Sequence, residues 1–129
     1  MNRHAAAIVL ALGICSAAAA AVVDHCATLL GSIGVELRHA RQLPRGTRTT
    51  FTCPRDTRPL LQADRSRVLA ALGPPDTAAP IPEGQGLRWT YRFGPKPAED
   101  AERPAGEPEL HFDFDPRFGV LAVECQRRR

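Results

Sequence analysis

Lysine is almost missing from this chain. Of its seventeen basic residues only Lys96 is a lysine, and arginine, alanine, proline and glycine dominate together. That bias reads as GC-rich codon usage rather than as selection for an anionic partner. Residues 38 to 58 do gather Arg38, Arg41, Arg45, Arg48, Arg55 and Arg58 around a single acid, Asp56. An anion-binding face is one reading of them, and a solvated surface is the preferred one. No aromatic residues interleave with these arginines and no nucleic-acid motif occurs, so no nucleic-acid partner is expected. The G-x-S-x-G elbow is missing too. Ser32 and Ser66 have no base at a recognisable spacing, and His39 is isolated among arginines.

Charge is absent altogether from residues 5 to 21. Arg3 and His4 precede this run, Ile8, Val9, Leu10, Leu12 and Ile14 lie within it, and small residues close it. That is the pattern of a secretory signal, residues 1–21. Cleavage near Ala21 would leave one domain of about 108 residues, with the charge reduced from +3 to +2 by the loss of Arg3. A retained anchor is the alternative, but an alanine-rich run makes a weak spanning helix. Lipidation wants a small residue before the cysteine, whereas Ile14 precedes Cys15 and His25 precedes Cys26. The expectation is a soluble periplasmic or secreted protein, with no transmembrane segment after cleavage.

Export gives the cysteines a meaning. Cys15 leaves with the signal, and Cys26, Cys53 and Cys125 remain in an oxidising compartment, where two would pair and one be left over. Three pairings are open. Cys53 with Cys125 is favoured, because both border the regular core and close a long loop. A catalytic cysteine would need an activating partner, and disulfide formation is the more economical fate of these thiols. Asp24 to Cys26, "DHC", holds three ligand types, but beside the cleavage site it reads as flexible and incidental.

Along the mature chain, residues 22–59 are the least legible. Leu29, Leu30, Ile33 and Leu37 fit a helix, which Gly31 and Gly34 weaken by about 1 kcal/mol each. "GVELRHARQLPRGTRTTFTC" also fits a hairpin turning at "LPRG". Both stay open. In residues 60–129, Asp64 can cap a helix from Arg65, with Leu61, Val68, Leu69 and Leu72 on one stripe. Gly73, Pro74 and Pro75 end it. "LRWTYRF" alternates Leu87, Trp89, Tyr91 and Phe93 with Arg88, Thr90 and Arg92, which is a half-buried strand. "ELHFDF" repeats the pattern, "DPRFG" is a turn, and "VLAVEC" supplies a third strand with Leu121, Val123 and Cys125 inward. Residues 94–108 hold prolines and the acids Glu99, Asp100, Glu102 and Glu107, and read as a long mobile loop. The aromatic row faces a leucine-bearing helix and is read as core rather than as a ligand platform.

"HFDFD" is the one stretch that suggests chemistry. His111, Asp113 and Asp115 share one strand face, yet successive same-face residues stand nearly 7 Å apart and diverge. Asp115 precedes Pro116, where an aspartate commonly caps a turn. If the two strands pair, Arg88 and Arg92 face this row, and cross-strand ion pairing explains the same letters. No catalytic residue, metal or cofactor is therefore expected. Arg88, Arg92, His111 and Asp113 are kept as a candidate interaction face.

The order of parts resembles the SmpA/OmlA (BamE-like) family of small exported bacterial proteins. Its helix motif matches Val68, Leu72, Gly73 and Pro75, its first strand motif Trp89, Tyr91 and Phe93, and its second Leu110, Phe112 and Phe114. The resemblance covers about residues 60–125. It implies an α+β fold, short helices packed on one face of a three-stranded antiparallel β-meander, similar to β-lactamase-inhibitory proteins. It also implies a non-enzymatic binding or scaffold role in the bacterial cell envelope, with another envelope protein as partner. The alternatives are a small metal-dependent enzyme centred on His111 and Asp113, or a secreted enzyme inhibitor. The sequence names neither the partner nor an oligomeric state.

Overall fold

The computed structural model describes residues 23–96 and 105–129. The expected signal, residues 1–21, and the centre of the expected loop lie outside them. Helix α1, His25–Arg41, decides the open choice for the N-terminal segment, and the hairpin alternative does not form. It begins at Asp24, whose Oδ1 accepts the Ala27 N–H at 3.0 Å and satisfies one of the free first-turn amides. "DHC", expected to be flexible, is thus a helix start, with Cys26 only 2% exposed. Leu30, Ile33, Leu37 and Ala40 continue the buried stripe at helical spacing. "LPRG" is a turn as read, closed by the Thr47 N–H on the Pro44 carbonyl at 3.1 Å, but it leads out of a helix rather than between strands.

Gly34 is the reason the helix can dock. A Cβ there would lie 2.6 Å from the Ala71 carbonyl oxygen of the next helix. The same glycine that lowers helix propensity lets two backbones approach.

A 3-10 helix, Arg58–Gln62, leads into α2, Arg65–Leu72. Asp64 caps α2 as its position suggests, accepting the Arg67 N–H at 2.8 Å. Gly73 follows with φ +75°. Val68 and Leu72 are buried, but Leu61 and Leu69 are 43% and 46% exposed, against the stripe drawn from sequence. For Leu61 the reason is that the 3-10 segment winds at three residues per turn, so a 3.6-residue period extended backward picks the wrong leucine. Leu60 is the buried one. Leu69 lies within α2 on its outer side.

The sheet has four antiparallel strands, not three. β1 is Thr77–Pro80, β2 Leu87–Arg92, β3 Pro108–Phe114 and β4 Val120–Arg127, hydrogen-bonded in chain order as a meander. β1 was not legible because "TAAP" has no apolar alternation; it is an exposed edge that pairs through backbone with Leu87–Thr90. Its Pro80 suits an edge, where a missing N–H is tolerated. The helix-facing side of β2 and β3 carries Trp89, Tyr91, Leu110, Phe112 and Phe114, continued by Phe93, all buried. Phe51, from the extended chain after α1, stacks on Phe93 with ring centroids 3.8 Å apart.

In β4 the expected inward set needs one change. Phe114 pairs with Val120 and Asp113 with Ala122, so Leu121 is an extra residue in a bulge. It is 54% exposed, while Val120, Val123 and Cys125 pack against the core. Cys125 forms the disulfide with Cys53, across a sequence separation of 72 residues. A loop of that length corresponds to roughly 4 kcal/mol of chain-entropy stabilisation. Cys26 stays a free, buried thiol, and burial raises its pKa.

The long loop is shorter than read. β3 begins at Pro108, and Glu107, counted among loop acids, is 7% exposed. Its carboxylate lies where a side chain on Gly94 would stand.

Candidate functional site

Opposite the core, β2 and β3 present their other residues. The register sets Arg88 against Asp113, Thr90 against His111 and Arg92 against Glu109. Alternation alone places these six side chains on one face, and strand pairing makes them neighbours. Arg88 and Asp113 form a two-pronged ion pair, Nε to Oδ1 at 2.7 Å and Nη2 to Oδ2 at 2.9 Å. Hydrogen bonding to Asp113 raises the Arg88 pKa, burial opposes this, and the charges of Asp113 and Glu124 add to it.

His111 is held from both sides. Nδ1 lies 3.2 Å from the Thr90 hydroxyl, and Nε2 lies 3.1 Å from Glu109 Oε2. An ionised carboxylate only accepts, so in the neutral ring Nε2 carries the proton and Nδ1 accepts from Thr90. Glu109 also faces Arg92, whose Nε is 3.4 Å from Oε1, too poorly placed for a hydrogen bond. The Arg92 main-chain N–H donates to Asp76 at 2.6 Å, and Asp76 pairs with Arg41 at the end of α1 at 3.3 Å. The face is less wet than its letters suggest. Side-chain exposure is 14% for His111 and 16% for Asp113.

Arg88, Arg92, His111 and Asp113, the four residues singled out from sequence, are therefore brought together. Asp115 is not with them. Its carboxylate accepts the Arg117 and Gly119 amides at 2.7 and 3.2 Å and caps the turn before β4. Sequence reasoning missed Glu109 and Thr90 as members, although their parity with His111 and Arg88 signalled them. Asp76 carried no signal, since only the fold brings it to Arg92.

Chemically, Thr90, His111 and Glu109 have the connectivity of a hydroxyl–imidazole–carboxylate relay. Thr90 is only 6% exposed, however, so its hydroxyl is shielded from an incoming carbonyl. Among the described residues no three His, Cys, Asp or Glu side chains come together as a metal site. The geometry explains why: Asp113 is taken up by Arg88, and Asp115 by its own turn. A separate groove of about 430 Å³ lies between α1 and the chain after it, lined by residues that include Leu29, Ser32, Glu36, Phe51 and Pro54. Ser32 has no histidine among the lining residues. The arginine-rich stretch is partly neutralised. Arg41 pairs with Asp76 and Arg58 with Asp56, while Arg45, Arg48 and Arg55 are exposed.

Fold and face together define a small α+β domain, with one sheet side buried under helices and the other a fixed polar lattice. Among the described residues no helix is long and apolar enough to cross a membrane. No protein-family model, curated protein or solved structure matches the chain.

Proposed function

We propose that this protein is an exported, non-enzymatic binding module of the bacterial cell envelope that engages another envelope protein. The role agrees with the resemblance to SmpA/OmlA-like proteins. The observation that carries it is the locked polar face of β2 and β3. Arg88, Arg92, Glu109, His111 and Asp113 are held by one another, so a partner meets charges already in place and little side-chain entropy is lost on docking. Catalysis needs a reachable nucleophile and a site for developing charge, and this face offers a shielded hydroxyl instead. The disulfide is compatible with an oxidising compartment.

Affinity capture from native envelopes tests the proposal, with wild-type protein beside Arg88→Glu and Arg92→Glu variants. The expected result is a partner retained by wild type in low salt and lost with either reversal. Equal retention by all three, or none by wild type at any salt concentration, overturns it. Metal analysis addresses the enzymatic alternative. Stoichiometric metal in the wild type that disappears in His111→Ala would establish a metal centre and displace this reading.

A further inference from the structure

The two edges of the sheet are not alike. β1 is four residues long and ends in Pro80, which has no N–H to offer. β4 runs for eight residues, Val120–Arg127, without proline or glycine. An edge of that kind is a template for another strand.

Parity fixes which β4 groups point outward. The Asp115 N–H donates to Gly119 at 2.9 Å, and the Arg128 N–H donates to Glu107 at 2.8 Å. With Glu109 paired to Gln126, His111 to Glu124 and Asp113 to Ala122, odd residues of β3 bond to even residues of β4. Val123, Cys125 and Arg127 therefore aim their N–H and C=O groups away from β3. Those groups have no backbone partner among the described residues. The beginning of the edge is already used: the Val120 N–H donates to Ala63 at 3.2 Å, and Asp64 bridges Gly119. Strand addition thus starts on this edge with the chain's own residues and stops there. Cys125, stapled to Cys53, holds the open part in place.

We propose that the open edge of β4 pairs antiparallel with β4 of a second copy, joining two four-stranded sheets into one. Such a two-fold contact must be self-complementary, and the charges select its register. Centring it on Glu124 sets glutamate against glutamate, centring it on Cys125 sets Glu124 against the neutral Gln126 without an opposite charge, and centring it on Arg127 sets arginine against arginine. Centring it on Gln126 sets Glu124 against Arg128 of the second copy, twice by symmetry, with the two Gln126 amides meeting at the axis. Glu124, Gln126 and Arg128 are all exposed and alternate onto the same side. Growth ends at two copies, because the remaining edges are the short β1 strands with Pro80.

Sedimentation equilibrium of the oxidised protein, purified from an exporting host, tests this. Wild type is expected to dimerise with rising concentration. Glu124→Arg should weaken the dimer by about tenfold or more, and combining it with Arg128→Glu should restore it. Arg127→Pro removes an outward N–H without touching the backbone bonds to β3, though it also loses the Arg127 Nη1 bond to the Gly106 carbonyl at 3.0 Å. It should abolish the dimer, whereas Arg127→Ala, which loses that side-chain bond and keeps the N–H, should still dimerise. A wild type that stays monomeric up to millimolar concentration overturns the proposal. So does a dimer indifferent to Glu124→Arg and Arg127→Pro.

Discussion

The same two strands build two unlike surfaces. On one side of β2 and β3 lie Trp89, Tyr91, Leu110, Phe112 and Phe114, at most 7% exposed. On the other lie Arg88, Thr90, Glu109, His111 and Asp113, held by ion pairs and hydrogen bonds between neighbouring strands. The first side is stabilised by removing apolar area from water, which adds up over every buried carbon. The second depends on direction, and each of its pairs returns little beyond what water offered. The fold therefore rests on the aromatic side, and the polar side can be altered with much less effect on folding.

Three experiments test the division, from the largest effect to the smallest. Phe112→Ala empties the centre of the buried side and should cost about 3–5 kcal/mol in denaturant unfolding. A cost near that of a surface change would show that the core lies elsewhere. Tyr91 probes a polar atom on the buried side. Its hydroxyl donates to the Gly73 carbonyl at 2.8 Å, and burial raises its pKa well above the ordinary 10. The folded state holds the neutral phenol while the unfolded chain ionises above pH 10. Stability from this group is thus complete below pH 10 and falls as the pH rises beyond it. Tyr91→Phe should cost about 1 kcal/mol at neutral pH and flatten that alkaline loss, as followed by unfolding at a series of pH values. On the polar side, a double-mutant cycle of Arg88→Ala and Asp113→Ala should give a coupling of roughly 0.2–1 kcal/mol. A coupling several times larger would make the polar side a structural element in its own right.

Much of this division was readable from the residues. The alternation in "LRWTYRF" and "ELHFDF" places each letter on its side, and the structure follows it residue by residue. Asp64 and Gly73 mark the ends of α2, and Asp115 marks its turn. Most of the misses share one cause: each depends on pairing with another strand rather than on the residue's own neighbours. β1 exists because β2 is beside it. Leu121 leaves the buried row because Val120 and Ala122 both pair across the bulge. Glu109 had the right parity, but its place under His111 and Arg92 came only with the register.

Sequence alone determined the local periods, the caps and the stops, because these follow from bonds within a few residues. It also favoured the disulfide partners, Cys53 and Cys125. The tertiary structure decided that residues 25 to 41 are helix, since Gly34 gains its worth only when Ala71 lies against it. It decided the fourth strand. It also decided the difference between an edge closed by Pro80 and one left open from Val123 to Arg127. Each of these is a contact between distant parts of the chain, and such contacts exist only once the core has formed.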